Sequence, residues 1–503
     1  MIDALPTRID KLMVENTQLH EKVKLLTDEL ADVKEQLGWF KRQVFGAKSE
    51  RFVPTNEQQY SLDLGIKKNE PAPAVLETVT YNRKRPDANK TPHSREEIPA
   101  HLPRTIVDVT PDFDTTNMEK IGEKITEQLE YTPPAFKVTR YVVPVFAKKT
   151  NEQRIIQAAT LPPLCIDKGK AGPSLVAHTI ISKCVDHIPH YRLASMINRE
   201  CDMRLPESTI RDWYRQGIFW LEAIAQRCRE IALQSNYLQM DESGIKVMIH
   251  PTHGKSHKGA MIVQHAPLEK IVLFNYQQNK TTETIIKLLG DFKGILQSDG
   301  LKQYIGVCSR NDTLLHAGCM DHCRRGFEKA LTNDNKRATH VLTELKALYA
   351  IEEEARCAAL DHERRLALRK EKSVPVIAAL FDWMKEQLAS VRPHSSIGKA
   401  ILYALGREEG LRLFCKHGHI EISNILIENA IRPLAVGRNN FLFCGSEDGA
   451  RRLAVAYTVM GTCKINGVNQ SHYLPYVLSE LPKRKSNDID DLLPMNWKDP
   501  HSK

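Results

Sequence analysis

Nowhere in the 503 residues is there a run of about 18 consecutive apolar residues, the length a membrane-crossing helix needs. The N-terminus is patterned in heptads, where a secretory leader would be basic and then apolar, so no membrane partner and a cytoplasmic location are expected. Cysteine is missing from the first 164 residues: all 11 thiols lie at Cys165 or beyond, without the spacing of a disulfide framework. Reduced thiols are therefore expected, and the region before Cys165 has no paired thiolates from which to build a structural zinc site. A strong surplus of one charge is also missing. Lys and Arg number 71 against 62 Asp and Glu, a formal +9, which suits nucleic acid without requiring it. What is present is length beyond one ordinary core and 42% hydrophobic residues, so several domains are expected.

Residues 1–46 carry a sustained heptad, with Ile2, Ile9, Asn16, Val23, Leu30, Leu37 and Val44 at one core position and Leu5, Leu12, Leu19, Leu26, Val33 and Phe40 at the other. Branched residues and one Asn at the first position, with Leu mostly at the second, favour a parallel dimeric coiled coil whose register Asn16 would fix. Pro6 in the first turns moves its start to near Thr7. Residues 47–95 lose periodicity and end in YNRKRPDANKTPHSR, a linker whose Arg83, Lys84, Arg85, Lys90 and Arg95 could serve as a basic arm or a solvated tether. Residues 96–165 hold strand-like pieces, TIVDV and FKVTRYVVPVF, and read as a small β-rich module. In 173–235 three helical patterns follow one another, and the last is joined to the one before by the short DMRLPE. A short helix, a turn and a second helix suggest helix-turn-helix DNA binding, with Ser208 as cap and Ser208, Thr209, Arg211 and Arg215 toward the groove.

The stretch YLQMDESGIKVMI (237–249) then places Asp241 and Glu242 inside a run that otherwise reads as a buried strand. A carboxylate there carries a desolvation cost of about several kcal/mol unless a cation or hydrogen bonds offset it. A second acid, Asp299, ends the strand-like GILQSDG, and a third, Glu428, lies on a helical pattern with Asn424 and Arg432 one turn away on either side. Three hard oxygen donors would suit Mg²⁺ or Mn²⁺. Two such ions clamp the attacking and leaving oxygens of a phosphoryl transfer. Alternation along a strand sends Glu242 to the face opposite Asp241, so only one of the pair can aim at an ion. Three antiparallel strands, helix, strand, helix and strand are the order of an α/β ribonuclease-H-like core, expected over 236–326 and 406–446. An all-helical insertion over 327–405 would interrupt it. Between the parts, HAGCMDHCRRGF gathers His316, Cys319, His322 and Cys323. These invite zinc, but Cys319 and His322 straddle a strand exit and a helix start, and Cys323 adjoins His322 awkwardly for tetrahedral closure; a structural or DNA-facing role is expected instead. Arg324, Arg325, Arg432 and Arg438 are candidate DNA contacts. Pro433 should end or kink its helix, NFLFCGS reads as a strand, 447–480 as a short helical tail, and the last twenty residues as a frayed end.

Taken together, FGAKSERF, IPAHLPR, LEYTPPAFKV, SKCVDHIPHYR, LPESTIRDW, MDESGIKV, LQSDG, CMDHCRRGF, SSIGKAILYAL, IENAIRP and GRNNFLFCGS resemble the IS66-family transposases, a branch of the DDE transposase superfamily. The resemblance implies Asp241, Asp299 and Glu428 as the catalytic and metal-binding triad, with Cys319 and His322 as a short Cys-x-x-His signature and Asn424 beside them in support. It implies terminal inverted repeats and target DNA as partners, a homodimer through the coil, small accessory proteins of the same element, and a nucleoid location. Family members usually carry Cys-x-x-Cys-like pairs around LEYTPPAFKV, whereas DFDTTNMEKIGEKI and VFAKKTNEQRII here have none. Zinc is therefore not carried over as a cofactor. The alternative is a catalytically inactive or repurposed DNA-binding regulator.

Overall fold

The computed structural model describes residues 163–166, 169–201, 204–248, 255–485 and 487–500, a few positions of 16–23 and 136–139, and the backbone of two strands between 145 and 158. The chain divides into one unit of residues 1–44 with 139–503 and another of 45–138, of which only residues 136 and 138 are described. The expected coil, linker and most of the β-rich module thus lie outside the described residues. Positions 19–23 are helical, and there Leu19 is 60% exposed. Strands β1 (Val145–Lys149) and β2 (Arg154–Ala158) pair antiparallel within the cysteine-free VFAKKTNEQRII stretch.

Helices α1 (Pro173–Cys184), α2 (His190–Cys201) and α3 (Glu207–Leu233) precede the sheet. Ser208 does not cap α3: the N-cap position is Pro206, without a side-chain cap, because the helix starts one residue before the serine. Ile210, Trp213, Tyr214, Gly217, Ile218 and Leu221 form the buried stripe of α3, at the spacing of a helix with one apolar side.

A five-stranded sheet follows, ordered β5-β4-β3-β6-β7. β3 (Tyr237–Met248), β4 (Ser256–Ala266) and β5 (Ile271–Gln277) form an antiparallel meander, while β6 (Gly294–Gln297) joins β3 in parallel and β7 (Leu314–Ala317) joins β6 in parallel. α4 (Thr282–Leu289), capped by Thr281, and α5 (Lys302–Cys308) make the crossovers that parallel pairing requires. The element order matches the sequence expectation. Tyr237 and Ile295 enter a core with the following helices, and Leu238 and Leu296 enter a second, larger core, as the two-residue strand period dictates.

After α6 (Met320–Ala330), helices α7 (Asn335–Cys357), α8 (His362–Leu368), α9 (Val374–Leu388) and α10 (Ser396–Leu405) build the helical insertion on its own core of Phe327, Val341, Leu345, Leu348, Ile377, Phe381 and Ile401. It is not a merely solvated bundle. Arg369, wholly buried, donates to Glu352 through Nε (2.7 Å) and Nη2 (2.7 Å) and to the carbonyls of Phe414, His417 and Ile420, which uses all five of its N–H groups. The insertion is thereby fastened to the segment that leads into α12 (Ile425–Phe441), past the short α11 (Glu408–Arg412).

Three expectations are corrected. α12 does not end at Pro433 but continues to Phe441; the carbonyl that the proline leaves unpaired, four residues back, belongs to the exposed Asn429. NFLFCGS forms only an isolated bridge, Cys444 to Val247. Residues 447–480 carry helices as expected, but the described residues 487–500 are not a frayed end. α13 (Glu447–Ile465) lies along the edge strand β5, where Thr458 Oγ1 accepts from Phe274 N (2.9 Å) and Thr462 Oγ1 from Val272 N (3.2 Å), covering an otherwise open edge. α14 (Gln470–Glu480) packs on α1. Beyond it Ile489, Leu492 and Leu493 are buried, and Asp490 pairs with Arg227 at 2.7 Å. Among the described residues no helix is long and apolar enough to cross a membrane, and every cysteine whose side chain is described is a free thiol.

Candidate active site

β3 and β6 run parallel with Gln239 opposite Gln297. Asp241 stands two residues further along β3 and Asp299 two residues past the end of β6, and Asp241 feels the charge of Asp299. Asp241 Oδ1 accepts the Glu242 N–H at 2.7 Å. Burial pushes its carboxyl up to about 7, the Glu242 N–H opposes this, and the charges of Asp299, Glu242 and Glu428 add to the rise. Asp299 Oδ1 accepts the Leu301 N–H at 3.0 Å and its carbonyl accepts the Tyr403 hydroxyl at 2.7 Å, so the loop is held from both sides. Burial raises this carboxyl too, Glu242 adds to it, and the Leu301 N–H, His322 and Lys280 work against it. Gly300 turns the chain at φ +81°, and Arg407, whose Nη2 donates to its carbonyl at 2.9 Å, fills the space a side chain would need.

Glu428 sits in the first turn of α12, close enough for Asp241 to feel its charge. Its Oε2 accepts from Arg325 Nη2, and its Oε1 lies 3.9 Å from His322 Nδ1. His322 belongs to the first turn of α6, and the charges of both Asp299 and Glu428 act on it. Burial and the Arg325 guanidinium lower its pKa. Glu242 lies on the opposite face of β3, as strand alternation requires, and both its oxygens are engaged: Lys280 Nζ donates to one at 2.5 Å and the Tyr304 hydroxyl to the other at 2.8 Å. The structure thus brings Asp241, Asp299 and Glu428 together, and leaves Glu242 beside them with its charge already met.

The four soft ligands of HAGCMDHCRRGF do not meet. His316 Nε2 contacts Ser298 Oγ at 2.9 Å, and Cys323 is buried in the core of the insertion. Cys319 and His322 instead approach Glu428, with one ligand atom of each residue within 4.8 Å of the others. Burial pushes the Cys319 thiol up to about 12, while backbone N–H groups of Asn424, His322 and Asp321 directed at the sulfur work in the other direction. Asn424, wholly buried, sits just before α12, and neither side-chain atom has a partner.

Ser208, Arg211 and Arg215 are exposed on α3 and Thr209 partly so; Arg215 pairs with Asp212 at 3.4 Å. Arg324 is held by Asp321 and Glu328, Arg325 by Glu428. Arg438 joins α12 to β3 through Ser243 Oγ (2.8 Å) and the Gly244 carbonyl (2.7 Å). Arg432 is exposed beside Pro433.

A buried polar layer beneath the acids escaped the sequence reading. The Tyr237 hydroxyl donates to Gln297 Oε1 (2.6 Å), Gln239 Nε2 donates to the same oxygen (2.9 Å) and to the Ser423 carbonyl (3.3 Å), and Gln297 Nε2 donates to the carbonyls of Gly318 (3.1 Å) and Glu421 (2.8 Å). The Glu421 N–H returns to the Tyr237 hydroxyl at 3.1 Å. Both strands and the entry to α12 are thereby tied together. A signal existed: Leu238-Gln239-Met240-Asp241 and Leu296-Gln297-Ser298-Asp299 repeat the pattern Leu-Gln-x-Asp.

Comparison with known proteins gives three family matches. The model described as Transposase IS66 family matches residues 168–452, Transposase C of IS166 homeodomain matches 32–107, and IS66 C-terminal element matches 458–495. Two proteins of Sinorhizobium fredii are similar over nearly their whole length: the uncharacterized protein y4qI, 28% identical over 98% of this chain and 93% of its own, and the uncharacterized protein y4jD, 26% identical over 97% and 98%.

Proposed function

The chain belongs to the IS66 family of transposases, and on that premise we propose that it is a DDE-type enzyme that binds the terminal inverted repeats of its element and carries out Mg²⁺-dependent strand cleavage and strand transfer. The observation that carries this reading is the placement of Asp241 on β3 and Asp299 two residues past the end of the parallel strand β6, with the charges of Asp299 and Glu428 both felt at Asp241. The strand and helix order supports reading 236–326 with 406–446 as a ribonuclease-H-like core.

The donor set fits hard divalent cations. The charges of Asp299 and Glu428 both add to the rise at Asp241, and Glu428 Oε1 is buried without a hydrogen-bond partner. Asp241, Asp299 and Glu428 would hold Mg²⁺ or Mn²⁺. Ions bound there supply charge neutralisation at the attacking and leaving oxygens of an in-line phosphoryl transfer. The protein's own part is positioning. The Leu301 N–H and the Tyr403 hydroxyl fix Asp299, and the Glu242 N–H fixes Asp241. Lys280 and Tyr304 hold Glu242 out of competition. Arg325, which lies on Glu428, is placed to move onto a DNA phosphate. The exposed start of α3, with Ser208, Thr209, Arg211 and Arg215, is the proposed helix-turn-helix contact, and the N-terminal heptads are the proposed means of pairing two protomers on two element ends.

The test is strand transfer on oligonucleotides that mimic the element ends, in Mg²⁺, with wild type and Asp299→Asn. Joined products from wild type alone, with end binding retained by both, are expected. Equal activity in the two proteins would remove the enzyme reading and leave the DNA-binding regulator.

A further inference from the structure

A second donor set shares Glu428 but differs in chemistry from the three acids. Cys319, at the N-cap position of α6, and His322, three residues on, project from the same turn, and ligand atoms of Cys319, His322 and Glu428 all lie within 4.8 Å of one another. Two of the atoms available here, His322 Nδ1 and Glu428 Oε1, are buried without a hydrogen-bond partner and face each other at 3.9 Å. Unpartnered buried donors and acceptors cost about 1–3 kcal/mol each, so two opposed across such a gap call for something between them. One turn before Glu428, the buried Asn424 side chain adds two more unpartnered polar atoms.

We propose that Cys319, His322 and Glu428 form a site for a thiophilic divalent cation, Zn²⁺ in the first instance, distinct in donor chemistry from a Mg²⁺ site on Asp241 and Asp299. One sulfur, one imidazole nitrogen and one carboxylate oxygen suit Zn²⁺ and disfavour Mg²⁺. Zinc bonds of about 2.0–2.3 Å place tetrahedral donors about 3.3–3.8 Å apart, so the cluster contracts by roughly 1 Å on loading, within the reach of side-chain torsions. Three protein ligands leave the fourth position open. Coordination through Nδ1 puts the ring proton on Nε2, so Arg325 Nη1 gives up its 3.3 Å contact with that nitrogen. The Cys319 thiol proton leaves to solvent as the metal–sulfur bond forms. Glu428 Oε1 is then the zinc ligand, and Oε2, which now accepts from Arg325, is the oxygen left for an ion shared with Asp241 and Asp299. This inference rests on the donor set alone and holds whether or not the chain moves DNA.

The experiment uses the full chain, stripped with EDTA in a non-thiol reductant and titrated with Co²⁺ as the spectroscopic probe, followed by Zn²⁺. Wild type is expected to bind one equivalent, with a thiolate-to-cobalt charge-transfer band that Zn²⁺ bleaches and a large excess of Mg²⁺ leaves in place. Cys319→Ser should lose the band, and His322→Gln and Glu428→Gln should bind at least about tenfold more weakly. Cys357→Ser, which alters an exposed thiol away from the cluster, should match wild type. A wild type without the band overturns the proposal, as does a band that survives in Cys319→Ser. Should Cys319→Ser fail to fold by circular dichroism, His322→Gln decides, because its side chain is partly exposed; undiminished affinity there also overturns it.

Discussion

Removing the charge from Asp241 should stabilise the ion-free protein, although the residue is proposed as essential. Its carboxyl titrates at about 7 against an ordinary 3.8, chiefly through burial, with Asp299, Glu242 and Glu428 adding to it. Between roughly pH 4 and 7 the folded chain therefore holds a proton that the unfolded chain has released, and stability falls as pH rises through that window. The interval corresponds to about 4 kcal/mol borne by the ionised form above pH 7. Asp241 keeps some contact with solvent, and screening there reduces the expected figure to about 2 kcal/mol. Asp241→Asn removes this penalty and retains a carbonyl oxygen for the Glu242 N–H. In EDTA at pH 8 the variant's thermal midpoint should exceed that of wild type by roughly 2 °C, and at pH 4.5, where wild type is itself protonated, the two should converge. With Mg²⁺ at pH 8, wild type should rise by mass action and the variant much less. A variant less stable than wild type at pH 8 in EDTA, or a difference unchanged between the two pH values, would refute the reasoning.

Two further outcomes follow from the surroundings of the site. Gly300→Ala forces a side chain into φ +81° with its Cβ 2.5 Å from Arg407 Nε; a loss of about 1–3 kcal/mol in urea unfolding is expected, with slower strand transfer because Asp299 precedes the turn. Glu352→Ala leaves the wholly buried Arg369 with carbonyl partners alone, while Arg365 keeps Glu421, and should cost about 3–5 kcal/mol in the same assay, whereas a loss under about 1 kcal/mol would show that the remaining partners suffice.

The sheet was legible because its strands carry their period openly: GAMIVQHA, KIVLFNYQ, GILQ and TLLHA are short apolar runs bounded by turn residues, and each is a strand. Asp241, Asp299 and Glu428 were legible as charges in apolar settings, with family resemblance to connect them. The polar end of the chain was not. Its composition reads as frayed, but Ile489, Leu492 and Leu493 anchor it, and the partner of Asp490 lies 263 residues away at Arg227. No local window contains that information. Ser208 misled for a related reason: serine is a good cap in general, but the chain before α3 turns at Pro206, which leaves the serine one residue inside. In HAGCMDHCRRGF zinc was set aside because the four soft residues did not close a tetrahedron. Four soft residues close in sequence were weighed as one set, whereas folding sends His316 to Ser298 and Cys323 to the core, and brings in Glu428 from a distant helix.

The polar layer under the acids explains how three distant residues can be held so that they share a site. A slip of one residue in β3 would turn Gln239 toward the apolar core now filled by Leu238 and Met240, and would turn Asp241 away from Asp299. Each bond in the layer is worth only about 1 kcal/mol when made, but each partner left unmet in a dry interior costs about 1–3 kcal/mol. The Tyr237 hydroxyl and the carbonyls of Gly318, Glu421 and Ser423 would all lose partners in such a slip, so the penalty for a wrong register far exceeds the gain from the right one. The layer acts as a register lock whose third side is the entry to α12. The placement of Glu428 over the strand acids is therefore set by amides buried one layer below, and the carboxylates themselves, which repel one another, do not have to supply it.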